Sequence, residues 1–314
     1  MADTPVLRRV AVAPQKAAAS AHRMRVLIAA GAAALLILAL AGYGWNYYTL
    51  PLDMRPFSPK HELLRPSGTI GLNLGILGVV LFVIIFLYAL RKAVPWLGRI
   101  GTAKHWMDFH VVLGVTAPIV IAFHASFKFN NIAGAAFWVM LAVALSGIVG
   151  RYLYAQIPRS LGAAAVAYRE LQGLESELAE ALAGQRLYSR EWIERTFRMP
   201  GAEHIRKSSI LAALAEMLLL DLSRWYRVAA LRRKGMKFFT SLLTLGGFLP
   251  TRQAEVEQIV AVVRRKALLT KRLVFLDRAQ RIFHLWHVVH RPFSYAFVVL
   301  ALIHIINAVR LGYF

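Results

Sequence analysis

The sequence predicts an all-α integral membrane protein with five transmembrane helices and a long helical insert between the last two. Of its 314 residues, 58% are hydrophobic and 17% are charged, and the mean hydropathy is +0.52. Five segments without Asp, Glu, Lys or Arg approach or reach the roughly 20 helical residues needed to cross a hydrocarbon core of about 30 Å. They are Val26–Trp45, Ile70–Leu90, Phe109–Phe127, Ile132–Gly150 and Pro292–Val309.

The first segment follows a basic, Ala-rich leader at residues 1–25, as the hydrophobic region of a secretory signal peptide does. Its apolar run at residues 26–45 is longer than that region usually is. Aromatic residues typical of a membrane interface follow at Tyr43, Trp45, Tyr47 and Tyr48. We therefore interpret it as a retained transmembrane anchor, with an extracytoplasmic loop at residues 46–69 after it.

The basic residues predict the orientation of the chain. A formal charge of +22 combined with this hydrophobicity argues against a nucleic-acid partner and for contact with membrane lipids. With the N-terminus inside, 33 of the 38 Lys and Arg residues are cytoplasmic and 5 are outside. The short basic segments carry this argument, because long loops count little in the positive-inside rule. We expect a multi-pass protein of the plasma (inner) membrane with a cytoplasmic N-terminus and an extracytoplasmic C-terminus.

Residues 154–280, between the fourth and fifth segments, are predicted to form a cytoplasmic helical insert. Two runs repeat apolar residues at helical spacing. They are Leu171, Leu174, Leu178 and Leu182, and then Val256, Ile259, Val260 and Val263. A third apolar run, Ile210–Leu220, is too short to span and predicts a core helix or an interfacial helix.

Four histidines lie in the third and fifth segments, in two pairs with the same spacing. His110 and His124 are 14 residues apart, and so are His290 and His304. At about 100° and 1.5 Å per residue, each pair shares a helix face and lies about 21 Å apart along the axis. The two segments run in the same direction, so His110 matches His290 in depth near the inner surface, and His124 matches His304 near the outer surface.

Two facing imidazoles at each depth are what a haem iron needs as axial ligands. We therefore expect two bis-histidine b-type haems in a four-helix bundle made of residues 70–153 and 281–314. The alternative for a single histidine is a buried polar residue satisfied by a carbonyl. Zinc or copper fits less well, because two histidines per site leave such a metal short of ligands.

Neighbouring histidines fit the positions of the haem ligands less well. From His304, His287 lies about 100° off the shared face and His284 lies nearly opposite. From His124, His105 is about 100° off as well. The helix register therefore favours His290 and His110.

These histidines, with their spacing and helix order, resemble the haem bundle of cytochrome b in quinol–cytochrome c reductases. They also resemble the membrane domains of ferric-reductase-like proteins and NADPH oxidases. The resemblance covers less than half of the chain. It implies two haems on the second and fourth bundle helices, and it makes glycines of spans two and four counterparts of the family's haem-facing glycines. Close helix packing is the alternative role for those glycines. The candidates are Gly71, Gly75, Gly78, Gly134, Gly147 and Gly150.

The sequence also departs from these families. It has no Pro-Glu-Trp-Tyr motif, no second membrane domain after the bundle and no C-terminal flavin and nicotinamide domain. We therefore expect neither a full-length cytochrome b nor a complete NADPH oxidase. The absence of cysteine excludes disulfides, thiolate-held iron–sulfur clusters and covalent c-type haem within this chain.

Residues near the inner histidines are secondary candidates. Asp108 could exchange protons with a quinone headgroup, or instead favour its helix N-terminus and pair with Lys104. His284, His287 and His105 could serve a quinone or a third haem, or simply lie at the lipid headgroups. Arg291 could bind a haem propionate or extend to lipid phosphates.

The sequence thus predicts a b-type cytochrome that carries electrons across the bilayer as the quinone-linked membrane subunit of a larger oxidoreductase. Its expected partners are the quinone pool and subunits that carry c-type haem, either mono-haem or multihaem, or iron–sulfur clusters. One alternative is a transmembrane ferric or other metal reductase fed by a cytoplasmic flavoprotein. Another is a non-redox membrane scaffold or transporter subunit.

Overall fold

The structure is a computed structural model that describes residues 5–91, 93–157, 161–183, 187–236, 240 and 244–313, with side chains described from Ser20 onward except at residues 161–164. All regular structure in these residues is helical. The described part contains five segments long and apolar enough to cross a membrane, which confirms the predicted fold class. They are Ser20–Tyr48, His61–Leu90, Ala103–His124, Asn131–Gln156 and Leu276–Arg310.

The chain divides into two compact units. Unit 1 comprises Met1–Arg151 and Val288–Phe314, and unit 2 comprises Tyr152–His287. The cytoplasmic position of the insert stays a prediction.

The membrane-spanning helices belong largely to unit 1. They are α1 (Pro5–Tyr48), α3 (Thr69–Leu90), α5 (Ala103–His124), α6 (Asn131–Gln156) and α12 (Leu276–Arg310), with the short helices α2 (His61–Leu64) and α4 (Pro95–Arg99) between them. The α1 helix runs without a break through the predicted boundary at residue 25. The α5 helix ends three residues before the predicted limit of its span, because Ser126 and Phe127 adopt positive φ angles of 49° and 57°.

Two apolar clusters hold these helices together. Leu40 of α1 packs with Leu74 of α3 and Val120 of α5, so the first helix contacts the bundle. In the second cluster four helices converge: α5 and α6 contribute buried residues, Phe297 comes from α12, and Phe82 of α3 packs against them. The Phe82 and Phe297 rings meet at 4.7 Å between centroids.

The loop at residues 46–69 is more ordered than its proline content suggests, because it contains a 3₁₀ turn at Arg55–Phe57 and the one-turn helix α2. The Arg55 guanidinium is buried. It donates to the carbonyls of Tyr48, Leu50 and Ser126, and the Ser126 hydroxyl donates to the Leu64 carbonyl. These bonds fasten the loop to the end of α5.

Unit 2 contains α7 (Leu161–Ala183), α8 (Arg190–Thr196), α9 (Ala202–Lys207), α10 (Ile210–Lys234) and α11 (Ala254–Val274), together with the ends of α6 and α12. The two predicted apolar faces form its core, with Leu174 and Leu178 of α7 packed in the same cluster as Val256 and Ile259 of α11. Serine side chains at Ser189 and Ser209 cap α8 and α10 by accepting backbone N–H groups.

Candidate functional site

The four predicted ligand histidines lie on α5 and α12, each of which is one continuous helix across its pair. The α5 helix begins where the Thr102 side chain accepts the N–H of His105, and it ends at His124. Because neither helix is interrupted between its histidines, the 14-residue spacing places each pair on one face. All four residues belong to unit 1.

The structure brings together His124 and His304, the pair predicted to lie near the outer surface. The rings of His124 and His304 lie 6.4 Å apart between centroids, at an interplanar angle of 69°. A metal ion held at about 2 Å from one nitrogen of each imidazole separates the two ring centroids by roughly 6 Å. The spacing of His124 and His304 therefore accommodates one metal centre with two axial imidazoles.

The partners of Nδ1 define which ring nitrogen is free in two histidines. The carbonyl of Gly71 lies 2.8 Å from His124 Nδ1, and the carbonyl of Ile85 lies 3.2 Å from His110 Nδ1. A carbonyl only accepts hydrogen bonds, so both Nδ1 atoms carry the proton. The lone pair of each Nε2 is left available to a metal, and metal-bound histidines are usually oriented in this way.

The inner histidine of α12 is held by a hydroxyl. Ser146 Oγ lies 2.8 Å from His290 Nδ1 and donates its proton to the carbonyl of Val143, also at 2.8 Å. Since the hydroxyl has one hydrogen, it accepts from the Nδ1–H of His290. His290 therefore has the same tautomer as His110 and His124.

Glycine and aromatic residues complete the surroundings of the histidines. A Cβ at Gly75 would lie 2.8 Å from His124 Cε1, which is shorter than real contacts allow, and a Cβ at Gly147 would lie 3.7 Å from His290 Cε1. Tyr88 packs on His110 at 5.1 Å between centroids. Gly75 thus allows the His124 imidazole to approach α3 closely, whereas the role predicted for such glycines was to let a haem approach.

Asp108 is engaged by partners other than the predicted Lys104. Its Oδ1 accepts from Arg151 at 2.9 Å, and its Oδ2 lies 3.1 Å from Nε2 of His22. The His22 ring stacks on His105 at 3.6 Å between centroids and is 7% exposed. The structure therefore adds His22 to the candidates near the inner end of α5.

One signal in the sequence indicates His22: it lies just before the first apolar segment, at the predicted inner boundary that also contains Asp108 and His105. Ser146, Ile85 and Tyr88 carried no such signal. Their roles depend on which turn of a neighbouring helix faces each histidine.

The remaining predicted residues lie on α12. His284 and His287 belong to the part of this helix in unit 2, and His287 packs against Phe283 and Trp286 at 4.7 and 4.8 Å between centroids. Arg291 is exposed, which suits a propionate or a lipid phosphate equally. The grouping of His284 and His287 with Asp108 stays a prediction.

The donor set fits a haem better than a protein-only metal site. Within the described residues, no group of three or more His, Asp or Glu side chains is placed to hold a metal ion. A haem iron needs only two ligands from the protein, since the porphyrin supplies the other four. Comparison with family models, with curated proteins and with solved structures gave no match to this chain.

Proposed function

We propose that the protein is a membrane b-type cytochrome with two bis-histidine haems, ligated by His124 and His304 and by His110 and His290. The observation that carries the proposal is the outer pair, in which the two imidazole rings lie 6.4 Å apart between centroids and His124 keeps Nε2 free by donating from Nδ1. The haems supply one-electron chemistry when bound.

The protein's own residues orient the ligands and exclude water. The carbonyls of Gly71 and Ile85 and the hydroxyl of Ser146 hold three imidazoles in the ligating tautomer. Phe82 and Phe297 pack within an apolar cluster in the same bundle. This apolar surrounding lowers the local dielectric, so that ligand and burial together tune the potential of each centre.

A haem count tests the proposal directly. The pyridine haemochrome of the purified full chain is expected to give two b-type haems per chain. His110→Ala or His290→Ala should remove one, and His124→Ala or His304→Ala should remove the other. His204→Ala, at an exposed histidine of unit 2 whose side chain is 68% accessible, should retain both. A colourless protein after expression with ample haem would overturn the proposal.

Electrons are proposed to pass between these haems and the quinone pool, with partner subunits carrying c-type haem or iron–sulfur clusters. Both oxygens of Asp108 already have protein partners. His105 is the more exposed of the two stacked histidines, and we assign it as the histidine that a quinone headgroup would contact there. Reduction of the haems by a quinol supports this assignment. Reduction only by reduced nicotinamide with a flavoprotein would favour the metal-reductase alternative.

A further inference from the structure

The α10 helix of unit 2 has one buried face and one apolar face that the described residues leave exposed. Ala213 and Met217 are fully buried in unit 2. On the other side, Leu222 is 65% exposed and Trp225 is 66% exposed. A core helix and an interfacial helix were the two alternatives predicted for Ile210–Leu220. The longer helix α10 has features of both, because one of its faces is buried and another is apolar and exposed.

The exposed apolar residues form one stripe along this helix. At about 100° per residue, Leu211, Leu218, Leu222 and Trp225 lie within about 40° of a common direction. Leu219 and Tyr226 lie roughly 60–80° to one side of it. Such a face is wide enough to lie flat on an apolar surface.

A loop next to the helix extends the stripe. Leu245, Phe248 and Leu249 are exposed, and the Phe248 ring contacts Tyr226 at 5.6 Å between centroids. Arg232 holds the loop to α10 by donating to the carbonyls of Gly247 and Phe248 at 3.3 Å. The hydrogen bonds from Arg232 thus hold the apolar loop beside the helix.

The charges of α10 favour a negatively charged partner. The helix has five basic residues and two acidic ones. Arg233 is exposed at its C-terminal end, and Arg224 and Arg227 are partly exposed along it. Asp221, one of the two acidic residues, is already paired with Lys271 at 2.6 Å. By the same helical geometry, Arg233 lies about 40° from Leu211 and therefore beside the stripe, whereas Arg224 and Arg227 lie on the opposite side. The exposed charge at the C-terminal end of the stripe is therefore positive.

We propose that α10 and residues 244–249 lie in the headgroup region of an anionic bilayer. Leucines on one face, Trp and Tyr beside them and an exposed arginine at the C-terminal end of the stripe are the chemistry of an interfacial helix. A bilayer is also the apolar partner that the chain connection favours, because unit 2 begins and ends within α6 and α12, two candidate membrane spans. This inference does not depend on the haem proposal.

The absence of cysteine makes a fluorescence test direct. Leu222→Cys and Leu245→Cys are each labelled with an environment-sensitive nitrobenzoxadiazole probe in the full chain, reconstituted at one chain per nanodisc of phosphatidylcholine and phosphatidylglycerol. Ala179→Cys, at an exposed position of α7, is the matched control. The two test probes should shift to the blue, be quenched severalfold more by headgroup-proximal doxyl lipid than by iodide, and lose much of this shift without the anionic lipid.

The control probe should be quenched by iodide alone. Iodide quenching of Leu222 and Leu245 equal to that of Ala179 would overturn the proposal. A probe protected only when several chains share one disc, or only when other membrane proteins are added, would overturn it in favour of a second copy or a protein partner. Two haems per chain in every labelled variant keep this result separate from the haem proposal.

Discussion

The Ser146 hydroxyl has a defined direction, because it donates to Val143 and accepts from His290. The hydrogen bond that the hydroxyl accepts from Nδ1–H gives the His290 imidazole partial anionic character. Such a ligand stabilises an oxidised metal more than a reduced one. The side chain therefore acts on the proposed inner haem without contacting it.

Ser146→Ala is expected to keep both haems and to raise the potential of the inner haem by a few tens of millivolts, which corresponds to roughly 0.5–1 kcal/mol for one electron. A potentiometric redox titration of the reconstituted protein measures the shift. Ser294→Ala is the matched control, since Ser294 bonds the backbone carbonyl of His290 and leaves its ring untouched. Equal shifts in the two variants would show that Ser146 has no specific effect on the ring.

At the level of single residues, the sequence predicted that His110 and His124, and likewise His290 and His304, share a helix face, and both helices run uninterrupted through these positions. It could not predict their Nδ1 partners, which are 25, 53 and 144 residues away along the chain. As an alternative to a quinone role for Asp108, it offered a pairing with Lys104, four residues away on the same helix. Arg151 reaches Asp108 instead, across the contact of α5 with α6.

The contact of α3 with α5 is close enough to position the His124 ring. The carbonyl of Gly71 in α3 accepts a hydrogen bond from the His124 imidazole. Gly75, one turn later, leaves room for that ring because it has no side chain. The two glycines have different roles. Gly71 provides a backbone carbonyl, and Gly75 provides space because it has no side chain.

Gly75→Ala is expected to displace the His124 ring, because the new methyl group would overlap Cε1 and Nδ1 at 2.8 and 2.9 Å. The variant should bind one haem per chain with the inner site unchanged, as read by the haemochrome count. Gly31→Ala on α1 is the control, since a Cβ there meets nothing within 4 Å and alanine favours a helix. Two haems with wild-type spectra in Gly75→Ala would contradict this packing.

In unit 2, Arg232 of α10 and Glu257 of α11 form a two-bond ion pair at 2.8 and 2.9 Å. Burial disfavours the carboxylate, but the bonds from Arg232 and from the Thr251 N–H outweigh it and lower the pKa of Glu257 below its ordinary value of 4.5. The ionised group therefore stabilises the folded state above that pH. This stabilisation is lost as the pH falls from about 4.5 through the lower folded-state pKa.

Glu257→Gln is expected to lower the stability of unit 2 at pH 7 by about 1–2 kcal/mol, with the difference from the wild type shrinking as the pH falls below about 4.5. Thermal unfolding of the full chain by circular dichroism, at several pH values in detergent, measures it. Glu194→Gln, in an exposed pair with Arg190, should have little effect at any pH. A difference that is constant with pH would exclude this proton linkage.

At the level of elements, long runs without charged residues predicted the spans, and apolar residues at helical spacing predicted the core faces of α7 and α11. Neither pattern predicted the turn and helix in residues 46–69, since their order comes from Arg55 reaching Ser126, 71 residues away. Nor could either pattern separate the two faces of α10, because Leu and Ala occur on both.

At the scale of the whole molecule, the orientation depends on charge. Placing 33 of 38 basic residues on one side is favoured because cytoplasmic loops retain Lys and Arg. The same orientation places His110 and His290 at the inner depth and His124 and His304 at the outer depth. Which proposed haem lies on the cytoplasmic side therefore depends on this topology.

Single cysteines in this cysteine-free chain test the topology. Met54→Cys in the loop after α1, Tyr313→Cys near the C-terminus and Ala179→Cys in unit 2 all lie at exposed positions. A membrane-impermeant maleimide added to intact spheroplasts should label Met54→Cys and Tyr313→Cys, and should label Ala179→Cys only after permeabilisation. Labelling all three after permeabilisation shows that each thiol is reactive. The reverse pattern would place unit 2 outside the cell, exchange the inner and outer haems, and move the proposed lipid contact of α10 to the outer leaflet.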